Sequence, residues 1–193
     1  AGLSEMRRES LGHNLNMRAT SIRYAKQQGK ELSHMNLITA HLGGGITISL
    51  FREGRMVDIV SDDEGPFSPE RSGGLPMFQL IEMATSGKYD YKSLMKKVKS
   101  QGGLISYFGT SNAREVEQMI DAGDEKAALV YEAMAYNIAK NIGKLAAAAQ
   151  GRVDAIILTG GLAYSKMLTQ WIAKRVNFIA PVKIMPGANE MEA

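Results

Sequence analysis

Three consecutive glycines, Gly43-Gly44-Gly45, join two apolar, β-branched runs in this chain. Asn36–His41 leads into them and Ile46–Arg52 follows. Both runs read as strands. The turn between them has no Cβ to shield its backbone N–H groups, so it can adopt φ > 0 and admit an anion close to the main chain. A phosphate-binding hairpin and an ordinary glycine-rich β-turn both satisfy this pattern. Glu53-Gly54 then turns the chain into a third run, Arg55–Ser61, and the three runs predict an antiparallel meander.

The segment 62–76 is a long loop that holds three of the five prolines and three glycines. Loops of that length often carry function. Its acids Asp62, Asp63 and Glu64 read as a loop start or as an approach to a metal. Helices are expected over Asn14–Gln28, Met77–Ser86, Tyr91–Ser100 and Ala113–Ala122, with glycine soon after each. Asp124 caps the longest helix, whose core stripe is Val130, Met134, Ile138, Ile142 and Leu145. A strand at Ala155–Leu158 runs through Thr159-Gly160-Gly161 into a helix that starts near Tyr164 or Ser165 and ends near Arg175. Pro181–Met185 gives a last strand, and Pro186-Gly187 leads into a final helix that stops abruptly. A meander extended by strands reached through helical crossovers predicts an α/β fold with a mixed sheet and flanking helices.

Composition narrows the function classes. Hydrophobic residues make up 45% and charged residues 22% of 193, the balance of a globular chain with a substantial core. The densest basic cluster, Lys92, Lys96, Lys97 and Lys99, lies at helical spacing without interleaved aromatics, so it reads as a solvated helix face and no nucleic-acid partner is expected. The absence of cysteine excludes disulfides, thiolate metal sites and a cysteine nucleophile. No apolar run approaches the roughly 20 residues that span a bilayer, so no membrane partner is expected, and the location expected is cytoplasmic. The first residues lack both a signal-like apolar run and an initiator methionine, so both ends read as those of a piece of a longer chain. His13, His34 and His41 lack the close spacing of a zinc site. Neither a Walker loop, a GxGxxG fingerprint nor a serine nucleophile elbow occurs.

Three features remain for chemistry. Gly160-Gly161 sits at a strand-to-helix turn, where backbone amides and the positive end of a helix face a nucleotide, or where tight packing alone demands glycine. Arg71, in Glu70-Arg71-Ser72-Gly73-Gly74, offers a planar guanidinium suited to carboxylate or phosphate. His41, at a strand end beside the glycines, could donate to a phosphoryl oxygen or be a hydrogen-bonded structural histidine.

Together these motifs resemble butyrate kinases, which group with acetate kinases in the acetokinase family and in the superfamily of actin, hexokinase and the Hsp70 ATPase domain. The resemblance is carried by His41-Leu42-Gly43-Gly44-Gly45-Ile46, by the long string from Asp63 to Pro76, by Gly123–Lys126 with Val130–Tyr136, by Leu158–Gly161, by Ala163–Ser165 and by Asn189–Ala193. It covers nearly the whole chain, more weakly before residue 36. It implies an actin-like, ribonuclease H-like ATPase lobe over 36–193, cut at its last helix, with 1–35 as a helical lead-in from an absent N-terminal lobe.

The resemblance also implies an activity: transfer of the γ-phosphate of ATP to a short-chain carboxylic acid, giving an acyl phosphate and ADP with Mg²⁺. Gly43, Gly44 and Gly45 with His41 would form the second phosphate loop, and Arg71 would contact the transferring phosphoryl group. Asn112, Ala113 and Arg114 would line the adenosine pocket, Gly160 and Gly161 would close it, and Glu190 would be the acid near the metal. His13 would match the histidine of the family's Phe-His-Gly segment, although Gly12 precedes it and Met17 replaces the segment's second histidine. The family's first phosphate loop, of Asn-Pro-Gly-Ser-Thr-Ser type, and its catalytic aspartate belong to the N-terminal half, and nothing like that loop occurs here. The 193 residues alone are therefore expected to be inactive, and the full-length protein to be a homo-oligomer, a dimer or higher. A non-catalytic nucleotide-binding module of actin-like fold is the alternative reading. A sugar-kinase relative would need a catalytic aspartate that only the absent half could supply.

Overall fold

The computed structural model describes residues 2–187. It contains α1 (Asn14–Gln27), β1 (Asn36–Leu42), β2 (Ile46–Arg52), β3 (Arg55–Val60), α2 (Met77–Thr85), α3 (Tyr91–Ser100), α4 (Gly103–Phe108), α5 (Ala113–Asp121), α6 (Glu125–Ala148), β4 (Ala155–Gly160), α7 (Lys166–Val176) and β5 (Val182–Pro186). The five strands form one sheet in the order β3-β2-β1-β4-β5. β1, β2 and β3 pair antiparallel, and β4 and β5 extend the sheet parallel to β1. The mixed sheet and the meander follow the sequence pattern.

Strand alternation splits the core into two layers. One face presents Ile38, Ala40, Leu42, Ile48, Leu50, Ile156 and Leu158 to α5, α6 and α7, where Val116, Tyr131, Met134, Ile138, Ile142 and Ile172 are buried with them. The opposite face presents Leu37, Phe51, Ile59, Ala155 and Ile157 to Met17, Tyr24 and Ala25 of α1. β1 is central and covered on both sides, which is why six of its seven residues are buried. The stripe expected on the longest helix is the stripe that α6 buries.

Three local differences from the sequence pattern have physical causes. Gly102-Gly103, expected only to stop α3, also opens α4: Gly103 takes φ +56 and a Cβ there would sit 1.6 Å from the Ser68 carbonyl oxygen. The helix after β4 begins at Lys166, because Ser165 caps it by accepting from the Leu168 N–H, and a 3-10 turn fills 161–164. α1 buries Asn16, Thr20 and Ser21 as well as its few apolar residues. Polar side chains of the sheet meet them there: Ser21 Oγ lies 2.8 Å from Thr39 Oγ1. The expected final helix lies outside the described residues. No helix among the described residues is long and apolar enough to cross a membrane.

Candidate active site

The C-terminal ends of β1 and β4 place the glycine turns side by side. His41 pairs in register with Thr47 of β2 and with Thr159 of β4. One residue further on, Gly160 adopts φ +87, and a Cβ there would lie 2.4 Å from the Leu42 carbonyl oxygen. Only glycine permits that approach. The strand-to-helix turn at Gly160 therefore abuts the residue that opens the Gly43–Gly45 turn.

The loop after the meander closes over this edge. Ser68 Oγ donates to the Gly44 carbonyl at 2.6 Å, and the Glu70 N–H donates to the same oxygen at 3.1 Å. The Arg71 N–H donates to Ser68 Oγ at 3.1 Å, and the Ser68 N–H returns a bond to the Arg71 carbonyl at 3.0 Å. The Arg71 guanidinium lies on Gly45, where an added Cβ would sit 2.7 Å from its Cζ. The Glu70 carboxylate similarly covers Gly44, 2.7 Å from the position of a Cβ. The turn thus lies under the tips of two flexible side chains, the Glu70 carboxylate over Gly44 and, over Gly45, the Arg71 guanidinium, a cation fit for a phosphoryl group.

Sequence inspection alone does not reveal what holds this arginine. Arg71 Nη1 donates to Asp62 Oδ1, with both side chains about 30% exposed. Asp62 Oδ1 also accepts from Ser61 Oγ at 3.1 Å. The acids of 62–64 therefore divide: Asp62 serves Arg71, while Glu64 accepts from Arg8 Nε at 2.6 Å.

The two candidate histidines meet across the α1–sheet boundary. Their rings stack with centroids 3.9 Å apart and planes 10° apart. His13 Nδ1 lies 2.9 Å from Thr47 Oγ1, and His41 Nδ1 lies 2.7 Å from Asn16 Oδ1. Burial, and secondarily the charge His13 would carry, lower the His41 pKa to about 4, so its ring is neutral at pH 7. An amide oxygen only accepts, so the proton is on Nδ1, and Nε2, beside Gly43, has a free lone pair. Asn16 Nδ2 is buried and has no hydrogen-bond partner among the described residues. Rotating that amide would satisfy it on His41 Nδ1 and move the ring proton to Nε2, where it could be donated to an oxygen in the turn.

Asn112, Ala113 and Arg114 line a second, adjoining feature. They form the start of α5, where Asn112 Oδ1 accepts from the Arg114 N–H at 3.1 Å. With Gly161, Leu162 and Tyr164 they border an open cavity of about 320 Å³. Glu117, also in its wall, accepts from Tyr131 Oη at 2.7 Å and from Ser165 Oγ at 2.5 Å. It ties α5 to α6 and to the cap of α7. Burial raises the Tyr131 pKa, with its bond to Glu117 next, so the phenol stays a donor.

The structure thus brings His13, His41, Gly43, Gly44, Gly45, Arg71 and Gly160 to one sheet edge, with Asn112, Ala113, Arg114 and Gly161 around the cavity that Gly161 joins to it. Glu190 lies outside the described residues. His34 is exposed on a 3-10 turn away from this edge. Sequence reasoning missed Asn16, Thr47 and Glu117, each of which acts through a partner distant in sequence, and it singled out Asp62 as a loop start or metal approach without its partner Arg71.

Comparison with known proteins agrees with this architecture. The profile of the Acetokinase family matches residues 11–183. "Probable butyrate kinase 2" of Caldanaerobacter subterraneus subsp. tengcongensis is 50% identical over 100% of this chain and 55% of its own length. "Butyrate kinase 2" of Clostridium acetobutylicum is 45% identical over the same shares. The chain thus spans about half the length of the curated relatives it matches. Among solved structures, Porphyromonas gingivalis acetate kinase superposes with a TM-score of 0.85 at 23% identity, over 92% of this chain and 52% of that one. That likeness shows the fold, an actin-like lobe with a mixed sheet and flanking helices. The sequence match shows the family: this chain belongs to the Acetokinase family.

Proposed function

We propose that this chain is the nucleotide-side lobe of a carboxylate kinase that transfers the γ-phosphoryl group of ATP to butyrate or a similar short-chain fatty acid, giving acyl phosphate and ADP. The observation that carries the reading is the seat of Arg71 on Gly45, at the edge where Gly160 abuts Leu42. The names of the relatives supply the substrate class. In this reading residues 36–193 are the C-terminal lobe and 1–35 its lead-in, with α1 packed as one layer of the lobe.

The residues act by position and charge. The turn of Gly43, Gly44 and Gly45 receives the terminal phosphates, through the amides of Gly44 and Gly45 while that of Gly43 donates to the Gly45 carbonyl at 3.2 Å, and Arg71 offsets the charge that spreads over the equatorial oxygens as the phosphoryl group moves. His41 stays neutral and hydrogen-bonds the same group through Nε2 when Asn16 presents its amide nitrogen, with His13 stacked behind it. Asn112, Ala113 and Arg114 hold the adenosine, and Gly160 and Gly161 close its pocket. A carboxylate with a pKa near 4 to 5 is already ionised at pH 7, so the acceptor needs no base.

Among the described residues no group of three or more His, Asp or Glu is placed to hold a metal ion. Mg²⁺ would therefore take most of its ligands from phosphate oxygens and water, its usual habit with nucleotides, with Glu190 as the protein's candidate acid. It would neutralise phosphate charge. In this reading the full-length protein is a homo-oligomer, and α2 leaves Met77, Phe78 and Ile81 exposed for a second copy or for the rest of the full-length chain to cover.

A hydroxamate assay with butyrate and ATP tests the reading. The full-length protein should turn over, and these 193 residues alone should not, because two lobes must close on the nucleotide. Calorimetric ADP binding by the full-length protein without acyl phosphate formation would favour the non-catalytic module instead.

A further inference from the structure

We propose that Asp62 is the positioning residue of Arg71, and that it holds the guanidinium over the glycine turn in the orientation that phosphoryl transfer requires. The proposal rests on the functional reading above. Arg71 is anchored twice. Its backbone is fixed by the reciprocal bonds with Ser68, which itself binds the Gly44 carbonyl. Those bonds leave the side chain free to rotate, and a long arginine side chain has several rotamers to lose. The contact from Asp62 Oδ1 to Nη1 removes that freedom and leaves the rest of the fork available to a phosphoryl oxygen.

Asp62 is in turn held by a chain of hydroxyls. Ser61 Oγ donates to Asp62 Oδ1 at 3.1 Å and lies 3.3 Å from Thr47 Oγ1, which lies 2.9 Å from His13 Nδ1. The chain starts at the stacked histidines and ends at the arginine, so one network of contacts spans the groups on both sides of the turn. Ser61 and Thr47 are buried, where a low local dielectric strengthens hydrogen bonds. The carboxylate also lowers the net charge that Arg71 presents before nucleotide arrives. Its contribution is orientation, and a misplacement of about 1 Å can cost about 100-fold in rate.

The test uses the full-length protein and the variants Asp62→Asn, Asp62→Glu, Arg71→Ala and Asp62→Asn with Arg71→Ala. Asp62→Asn should lower kcat for acyl phosphate formation about 10- to 100-fold with KM for ATP changed by less than about threefold, since orientation is needed in the transition state. Asp62→Glu should recover part of the loss. Adding Asp62→Asn to Arg71→Ala should cost nothing more, because the residue acts through the arginine. Unchanged or increased kcat in Asp62→Asn, or a loss that adds in full to that of Arg71→Ala, would overturn the proposal. A second readout is independent of turnover: the Arg71 Nε–H resonance should be a sharp, dispersed signal in the wild type and should collapse toward the exposed-arginine position in Asp62→Asn. If the wild type makes no acyl phosphate, the functional reading fails, and this resonance still decides whether Asp62 orders Arg71.

Discussion

The rings of His13 and His41 stack face to face, 3.9 Å between centroids, although 28 positions separate them in the chain. Because of burial, and then of the charge on its neighbour, His41 has a pKa of about 4 in the folded chain against 6.5 for a free histidine. Between those two values the unfolded chain holds more protons than the folded one. The stability that neutral His41 contributes is therefore complete above pH 6.5 and is lost as the pH falls toward 4, by at most about 3 kcal/mol. Denaturant unfolding at pH 7.5 and at pH 5 should show the part of this loss that falls between pH 6.5 and 5, about 2 kcal/mol, in the wild type and a smaller one in His41→Asn. Equal losses would mean that the imidazole is solvated.

Gly160 and Gly161 are adjacent but do different work. Gly160→Ala would place a methyl group 2.4 Å from the Leu42 carbonyl at φ +87. It should destabilise the chain by about 2 to 4 kcal/mol and shift the whole edge. Gly161→Ala meets nothing within 4 Å. It should leave the melting temperature within about 2 °C of the wild type, an effect below about 0.5 kcal/mol. Any loss of nucleotide affinity in Gly161→Ala therefore reports contact with the ligand. Calorimetry of ADP binding beside thermal unfolding separates the two effects.

Arg71→Ala in the full-length protein should lower kcat by about 1,000-fold or more, with a change in KM for ATP of only a few-fold. A guanidinium that acts on the charge of the transition state shows that split, whereas one that only anchors bound nucleotide raises KM and spares kcat. Steady-state kinetics against ATP, at saturating butyrate, makes the distinction.

Much of this was legible in the residues. The β-branched alternation of Asn36–Arg52 and the glycines at its turn fix the meander, and the spacing of Val130, Met134, Ile138, Ile142 and Leu145 fixes the core helix. Periodicity fails where burial is polar. α1 offers only sparse apolar positions, yet it buries Asn16, Thr20 and Ser21, because the sheet face they cover presents Thr39, His41 and Ser49. The start of α4 was hidden because Gly103 resembles a helix stop until the Ser68 carbonyl is seen against it. The candidate groups were visible one at a time, and their partners were not. Asp62 lies nine positions before the arginine it holds, and Asn16 lies 25 before the histidine it orients. Local pattern has no means to report pairs made by tertiary folding.

The most direct test is a crystal structure of the full-length protein with a non-hydrolysable ATP analogue. The account predicts the terminal phosphate against the Gly43–Gly45 turn, at the amides of Gly44 and Gly45 and within hydrogen-bond distance of the Arg71 guanidinium, and the adenosine in the cavity between Asn112–Arg114 and Gly161. A nucleotide bound elsewhere, or an Arg71 turned away from its phosphates, would contradict it.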